Sequence, residues 1–185
     1  MKKTVLTFGL ISGAILAAFM VATIPFMDRI GFDYGMVIGY TSMVLAFLLV
    51  FFGIKSYRDN VAGGSITFGR AFKVGILIVL ISSVCYVVTW EILYFNFLPD
   101  FAEKYTNYMV EKERASGASA EEIAQMVEKA RSMKSLLDNP FLNAAVAFLE
   151  PLPVGLLMTL ISAAILRKRR AQEVDGPERL GQSAA

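Results

Sequence analysis

The chain has 185 residues, of which 56% are hydrophobic and only 18% are charged. An average soluble domain is about 45–50% apolar and about 25% charged, so this composition favours a membrane protein. The net charge of +2 and the scattered basic residues argue against a nucleic-acid partner. One cysteine and no histidine exclude an internal disulfide and remove the commonest metal ligand and general base. We therefore expect no metal site, no cofactor and no enzymatic activity.

Four apolar stretches are each long enough to cross about 30 Å of hydrocarbon at about 1.5 Å per residue. The first stretch is longer than the core of a signal peptide, so we expect it to remain as a helix. A very short turn, bracketed by Asp28-Arg29 and Asp33-Tyr34, separates it from the second. The predicted spans are residues 4–27, 35–54, 74–97 and 141–166. The sequence thus predicts an all-α integral membrane four-helix bundle, forming one membrane domain over residues 1–170.

Basic residues near the span ends predict the orientation of the bundle. The segment 98–140 carries eight acidic and six basic residues, a net charge of −2, and the short turn after the first span has only Arg29. The other basic residues near span ends share the opposite side: Lys2, Lys3, Lys55, Arg58, Arg70, Lys73 and the 167–170 cluster. We therefore expect both termini in the cytoplasm and the segment 98–140 outside. The polar tail 171–185 is expected to be disordered on the cytoplasmic side.

The segment 98–140 has the pattern of two amphipathic helices. Aromatic and apolar residues recur at helical spacing from Phe101 onward, and Ser119 with Glu122 forms the sequence pattern of a capping box that opens a second helix. Two such helices form a helical hairpin, whose apolar faces either pack against each other or contact the bilayer surface or a partner. Both interpretations remain open from the sequence.

Glycines are expected to serve packing and turns rather than phosphate binding. The stretch from Gly63 to Arg70 is glycine-rich but lacks the Lys-Ser/Thr of a phosphate-binding loop, and Ser65 or Thr67 is a better candidate for a cap of the third span. Gly9, Gly13 and Ala17 in the first span, and Gly35 and Gly39 in the second, have the small-xxx-small spacing of close helix crossings. Such crossings arise within the bundle or between two copies of the chain.

Only two acidic residues, Glu91 and Glu150, fall inside the predicted spans. Counted from Lys73 and Arg167, they lie about 27 Å and about 25 Å along ideal helices, hence at similar heights in the outer third of the bilayer. If the two carboxyls face each other, the low dielectric keeps at least one protonated and creates a proton-relay or cation site. Alternatively, each acid is neutral or reaches water beside interfacial aromatic residues such as Trp90 and Tyr94.

Glu150 is the more informative of the two acids because it precedes Pro151, with Pro153 two residues further. A residue before proline is expected to leave α geometry, and each proline frees one helical carbonyl, those of Ala147 and Leu149. A carboxyl beside freed carbonyls at a helix break is the arrangement with which transporters bind cations. Asn143 lies seven residues earlier, on nearly the same face. The candidate intramembrane polar site therefore consists of Glu150, Glu91, Asn143, Pro151 and Pro153, although a purely structural kink remains the alternative.

Several stretches of the sequence, which combine polar loop residues with span residues, resemble the bacterial membrane family called domain of unknown function 4199. They are Met36-Val37-Ile38-Gly39-Tyr40, the run from Phe51 to Asn60, the run from Gly64 to Gly75, and the run from Phe148 to Gly155. The resemblance covers roughly residues 3–170 and implies a four-span protein of the bacterial inner membrane. It implies no substrate, cofactor or catalytic residue.

Two functional hypotheses follow from the sequence. The first is a non-catalytic membrane component that acts through a membrane partner or through homo-oligomerisation, with the 98–140 hairpin as its exposed surface and the lipid bilayer as its environment. The second is a small proton- or cation-coupled transporter built around Glu150, with Glu91 as a second acid.

Overall fold

The computed structural model describes residues 1–168. Long apolar runs without internal proline form most of its helices. The predicted tail 171–185 lies outside the described residues. The helices are α1 (Lys2–Thr23), α2 (Met27–Asn60), α3 (Phe68–Phe97), α4 (Phe101–Ala115), α5 (Ala120–Leu137), α6 (Pro140–Leu149) and α7 (Leu152–Leu166), with a 3-10 turn at Ile24–Phe26. The described chain is thus all-helical apart from an isolated β-bridge between Ile66 and Lys168.

Among residues 1–168, four segments are long and apolar enough to cross a membrane: Lys2–Phe26, Arg29–Asn60, Phe68–Phe97 and Pro140–Leu166. The number of spans is as predicted, but two helices extend beyond the predicted bounds. The second continues to Asn60 because Lys55 and Arg58 are good helix formers, so charge ends the apolar run without ending the helix. The third begins at Phe68, where the predicted cap is present: the amide of Arg70 donates to the Thr67 hydroxyl.

The chain between the first two spans turns within the bounds predicted from the sequence. The 3-10 turn leads at once into α2, which runs through Arg29 and Ile30 before a break at Gly31. Gly31 has φ +74° and ψ 166°, a conformation that a residue with a side chain rarely adopts. The reversal is therefore made at one glycine between Arg29 and Asp33, with helical residues on both sides.

Glycines allow the bundle helices to pack closely. A methyl group at Gly9 would lie 2.8 Å from Cβ of Ile81, and one at Gly13 would lie 2.6 Å from Cβ of Cys85. The residue numbers of the contacting pairs, Gly9 with Ile81 and Gly13 with Cys85, rise together, so α1 and α3 run parallel. Gly75 meets Thr159 and Gly155 meets Val79, so α3 and α7 run antiparallel. The predicted close crossing is confirmed within the bundle for Gly9 and Gly13, whereas Gly35 and Gly39 have open space beside them.

The core of the bundle lies between α1, α2, α3 and α7, and its largest fully buried side chains include Leu16, Phe47 and Ile78. Two serine hydroxyls join helices within it. The hydroxyl of Ser12 donates to the carbonyl of Ala46, and that of Ser82 donates to the carbonyl of Gly9, each at 3.0 Å. In a hydrocarbon environment these bonds add to van der Waals packing as the forces that hold helices together.

Candidate functional site

The fourth span is broken at Glu150 and Pro151, between the end of α6 and the start of α7. Pro151 and Pro153 lack backbone N–H groups, so the carbonyls of Ala147 and Leu149 lose their helical donors. The expectation that Glu150 leaves α geometry is wrong: it has φ −63° and ψ −50°. Pro151 also has helical dihedral angles, φ −77° and ψ −15°. The break is therefore a loss of hydrogen bonds rather than a change of backbone conformation.

Glu150 is paired across the bundle with a tyrosine that the sequence analysis did not place in the site. The hydroxyl of Tyr86 in α3 donates to Oε2 of Glu150 at 2.6 Å. Tyr86 is buried, whereas Glu150 is exposed on the surface of the bundle. An intramembrane carboxylate costs about 2.5–3.5 kcal/mol near the bilayer centre and less toward the interface, and this bond offsets part of that cost. No pattern in the sequence links these two residues, since their contact depends on the register between α3 and the fourth span.

Asn143, on α6, makes a separate polar contact with Trp90, which lies one turn beyond Tyr86 on α3. The indole Nε1 of Trp90 donates to Oδ1 of Asn143 at 2.8 Å, and Nδ2 of Asn143 donates to the carbonyl of Leu137 at 3.0 Å. The side chain of Asn143 is 0% exposed. It therefore connects α3, the end of α5 and α6, and the structure brings it to Trp90 rather than to Glu150.

Glu91 does not share the Tyr86 contact. It lies five residues beyond Tyr86 on α3, which corresponds to about 140° around the helix. Its Oε1 atom is buried and has no hydrogen-bond partner among the described residues. The hydrogen bond that Glu150 receives thus comes from Tyr86, on a face of α3 that points away from Glu91.

A stripe of residues on α2 faces this region: Met36, Tyr40, Met43, Phe47, Val50 and Ile54. Its members are alternately four and three residues apart, the spacing of a single helix face. The four members from Met43 onward are 2% exposed or less, but Tyr40 is 47% and Met36 is 52% exposed. The same face of α2 is thus covered along most of its length and uncovered in the part that lies toward α4 and α5.

The α4–α5 pair, residues 101–137, forms a second candidate region. The predicted capping box at Ser119 is confirmed, with its hydroxyl accepting from the amide of Glu122 and the Glu122 carboxylate accepting from the amide of Ser119. This backbone hydrogen bond to Ser119 lowers the pKa of Glu122 below its ordinary value. No residue of α5 is buried, so this helix lies against α4 without being enclosed.

A groove of about 320 Å³ runs between α4 and α5. Its floor includes Met109 and Met126, and Met133 at its side is 49% exposed. Lys129 and Lys134 line it as well. Lys134 is hydrogen-bonded to Asp138 at 3.0 Å, and this contact raises the pKa of Lys134. The groove is therefore apolar along its floor and bears basic side chains at its edge.

Aromatic contacts hold α4 onto the rest of the molecule. The ring of Phe32 packs against those of Phe101, Tyr105 and Tyr108, with centroids 5.1–5.8 Å apart. Nζ of Lys112 lies 2.8 Å from a carboxylate oxygen of Asp33, and this hydrogen bond raises the pKa of Lys112. A cavity of about 870 Å³ remains between α4 and the segment 24–34. The position of the α4–α5 pair is thus fixed at two points, here and at Asn143.

The described residues contain no group of three or more histidine, cysteine or acidic side chains that could hold a metal ion. Over the part of the chain that the structure describes, the architecture is that of an all-helical membrane protein, with four helices able to cross a membrane and two further amphipathic helices. The family model described as a protein of unknown function, DUF4199, matches residues 7–168, and the chain belongs to that family. The chain has no significant match among curated proteins. It has none among solved structures either.

Proposed function

We propose that this protein is a non-catalytic component of the bacterial inner membrane that acts by binding another membrane protein through the α4–α5 pair. In this arrangement both termini lie in the cytoplasm and the α4–α5 pair lies outside. The distribution of charge supports the orientation, because basic residues dominate near one set of span ends and the segment 98–140 has a net charge of −2.

The observation that carries the proposal is the exposed apolar surface of the α4–α5 pair. A helix of 18 residues with no buried side chain and an open groove beside it leaves apolar area in contact with water. Methionines at such a surface adapt to the shape of a partner, since their side chains are unbranched and polarizable. Three methionines border this groove: Met109, Met126 and Met133.

Site-specific photo-crosslinking in native membranes tests this function. A benzoylphenylalanine at Met133, in the groove, is expected to give a discrete crosslinked species. The same crosslinker at Arg131, an exposed position two residues before Met133 and therefore about 160° away around α5, is the matched control and is expected to give none. Adding Met126→Asp, which places a charge on the groove floor, should remove the crosslink from position 133. An identical pattern from both positions, or a pattern unchanged by deleting residues 100–138, contradicts the proposal.

A proton- or cation-coupled transporter is the second candidate, and the bond between Tyr86 and Glu150 favours it. A carboxyl beside the carbonyls freed by Pro151 and Pro153, with a hydroxyl donor at 2.6 Å, is able to exchange a proton or coordinate a cation. This candidate predicts pH- or cation-dependent flux in proteoliposomes that Glu150→Gln abolishes while the protein still inserts. The absence of flux in the unmodified protein rules it out.

A further inference from the structure

The face of α2 beside the break in the fourth span is only partly covered, and we call the region between this face and Glu150 the cleft. α7 packs against both α3 and α2, whereas α6 packs against α3 and α5 and has no comparable contact with α2 among the described residues. The two halves of the span therefore share α3 as a neighbour, but only α7 covers α2. At the uncovered end of the α2 stripe, Met36 is 52% and Tyr40 is 47% exposed.

Glu150 is exposed at the break, so its carboxyl borders this cleft. Tyr86 of α3 forms the back of the cleft through its bond to Oε2 of Glu150. Tyr40 belongs to the same face of α2 as Val50 and Ile54, whose side chains lie next to Gly75 of α3. The cleft thus has an apolar wall on α2 and one acidic group on the opposite wall. Both walls belong to segments that are long and apolar enough to cross a membrane, Arg29–Asn60 and Pro140–Leu166.

We propose that this cleft binds a transmembrane helix of another protein that carries a lysine or arginine at the height of Glu150. An apolar face is completed by an apolar helix, while an exposed carboxyl within the membrane is stabilised by an opposite charge or by hydrogen-bond donors. The inference deepens the proposed contact function, on which it rests, by defining the chemistry of the partner.

A second copy of this chain does not supply that cation. Within the four described spans the basic residues lie at or near the ends: Lys2, Lys3, Arg29, Lys55, Arg58, Arg70 and Lys73. Glu150 lies one residue beyond the end of α6, in the interior of Pro140–Leu166. The charge complementarity therefore points to a different protein.

The test uses a synthetic transmembrane peptide as the probe, with the full chain in proteoliposomes. The peptide is a leucine-alanine helix of about 24 residues, free of tryptophan, dansyl-labelled, and with one lysine in its outer third. A matched peptide has leucine in place of the lysine. Trp90, the single tryptophan of the chain, lies one turn from Tyr86 and serves as the energy-transfer donor. The lysine peptide is expected to reach half-maximal energy transfer at about five-fold lower peptide density in the bilayer than the leucine peptide. This factor corresponds to the free energy of about one interhelical polar contact in a membrane.

Two pairs of variants locate the effect. Glu150→Gln should abolish the preference for the lysine peptide. Glu91→Gln is the same change on the face of α3 that points away from Tyr86, and it should preserve the preference. Tyr40→Lys places a competing cation in the cleft and should also abolish the preference, whereas Thr41→Lys, on the adjacent exposed face of α2, should not. If Glu150→Gln fails to fold, judged by circular dichroism of the proteoliposomes, the Tyr40 and Thr41 pair decides the question.

Several outcomes overturn the inference. They are equal transfer with the two peptides in the unmodified protein, a lysine preference that survives Glu150→Gln, and a Trp90 response to sodium or potassium ions without peptide, which indicates a small-cation site instead. Met126→Asp tests the proposed function separately from this inference. It should remove the native crosslink from position 133 and leave the preference for the lysine peptide intact. An absent native crosslink together with an intact peptide preference refutes only the proposed function.

Discussion

Replacing Asn143 with leucine removes the side chain that joins three helices of the molecule. Asn143 accepts a hydrogen bond from Trp90 and donates one to the carbonyl of Leu137, and it is fully buried. Leucine has a similar volume, so the main loss is polar. The change breaks both bonds and leaves the Trp90 indole and the Leu137 carbonyl without these partners.

The magnitude follows from the two bonds. Interhelical hydrogen bonds in membranes contribute about 0.6 kcal/mol on average and up to about 1.7 kcal/mol. A buried polar group left without a partner costs about 1–3 kcal/mol. We therefore expect Asn143→Leu to lower the free energy of unfolding by about 2–3 kcal/mol. Because the bond to Leu137 fixes the end of α5, the α4–α5 pair should also become more mobile.

Unfolding in mixed micelles with increasing SDS, followed by far-UV circular dichroism, measures the loss. Asn96→Leu is the matched control, because Asn96 is exposed on α3 and donates only to Ile92 in its own helix. A double-mutant cycle with Trp90→Phe should give a coupling energy of about 1 kcal/mol between Trp90 and Asn143. An Asn143→Leu protein as stable as the unmodified chain, or no more destabilised than Asn96→Leu, refutes the reasoning.

Two further predictions concern packing and the capping box. Gly13→Ala should destabilise the bundle by about 1–3 kcal/mol, because the added methyl meets Cys85 at 2.6 Å, whereas Gly39→Ala should be neutral or slightly stabilising in the same SDS titration. The lowered pKa of Glu122 means that its contribution to the start of α5 is present above the ordinary carboxyl pKa of 4.5 and is lost as the pH falls through the lowered value. The protection factor against amide hydrogen exchange at the start of α5, which corrects for the pH dependence of the intrinsic exchange rate, should therefore fall on acidification. Glu122→Gln should reduce that fall, and an unchanged pH profile of the protection factor in the variant contradicts the assignment.

The elements that depend on local chemistry were predictable from the sequence. Hydropathy gives the number of spans, and the caps at Thr67 and Ser119 follow from residue type and spacing within a few positions. The end of α2 was less predictable, because Lys55 and Arg58 leave the apolar run while continuing the helix. Residue type alone does not distinguish the end of a span from the end of a helix.

Contacts between helices were not predictable in the same way. Gly13 and Gly39 belong to the same spacing pattern, yet Gly13 lies against Cys85 and Gly39 has open space beside it. Helical periodicity defines faces but not which neighbour a face meets. For the same reason the sequence identifies Glu150 as unusual without identifying Tyr86 as its donor, since that pairing depends on how α6 and α7 sit against α3.

The contact account requires that the four spans cross the membrane with the α4–α5 pair outside. Single cysteines in a Cys85→Ala background, labelled in intact cells with a membrane-impermeant maleimide, test this requirement directly. Ser132→Cys, exposed on α5, should be labelled in intact cells, whereas Ser56→Cys, near the end of α2, should be labelled only after the cells are opened. Labelling of Ser56→Cys in intact cells, or protection of Ser132→Cys until lysis, contradicts the account.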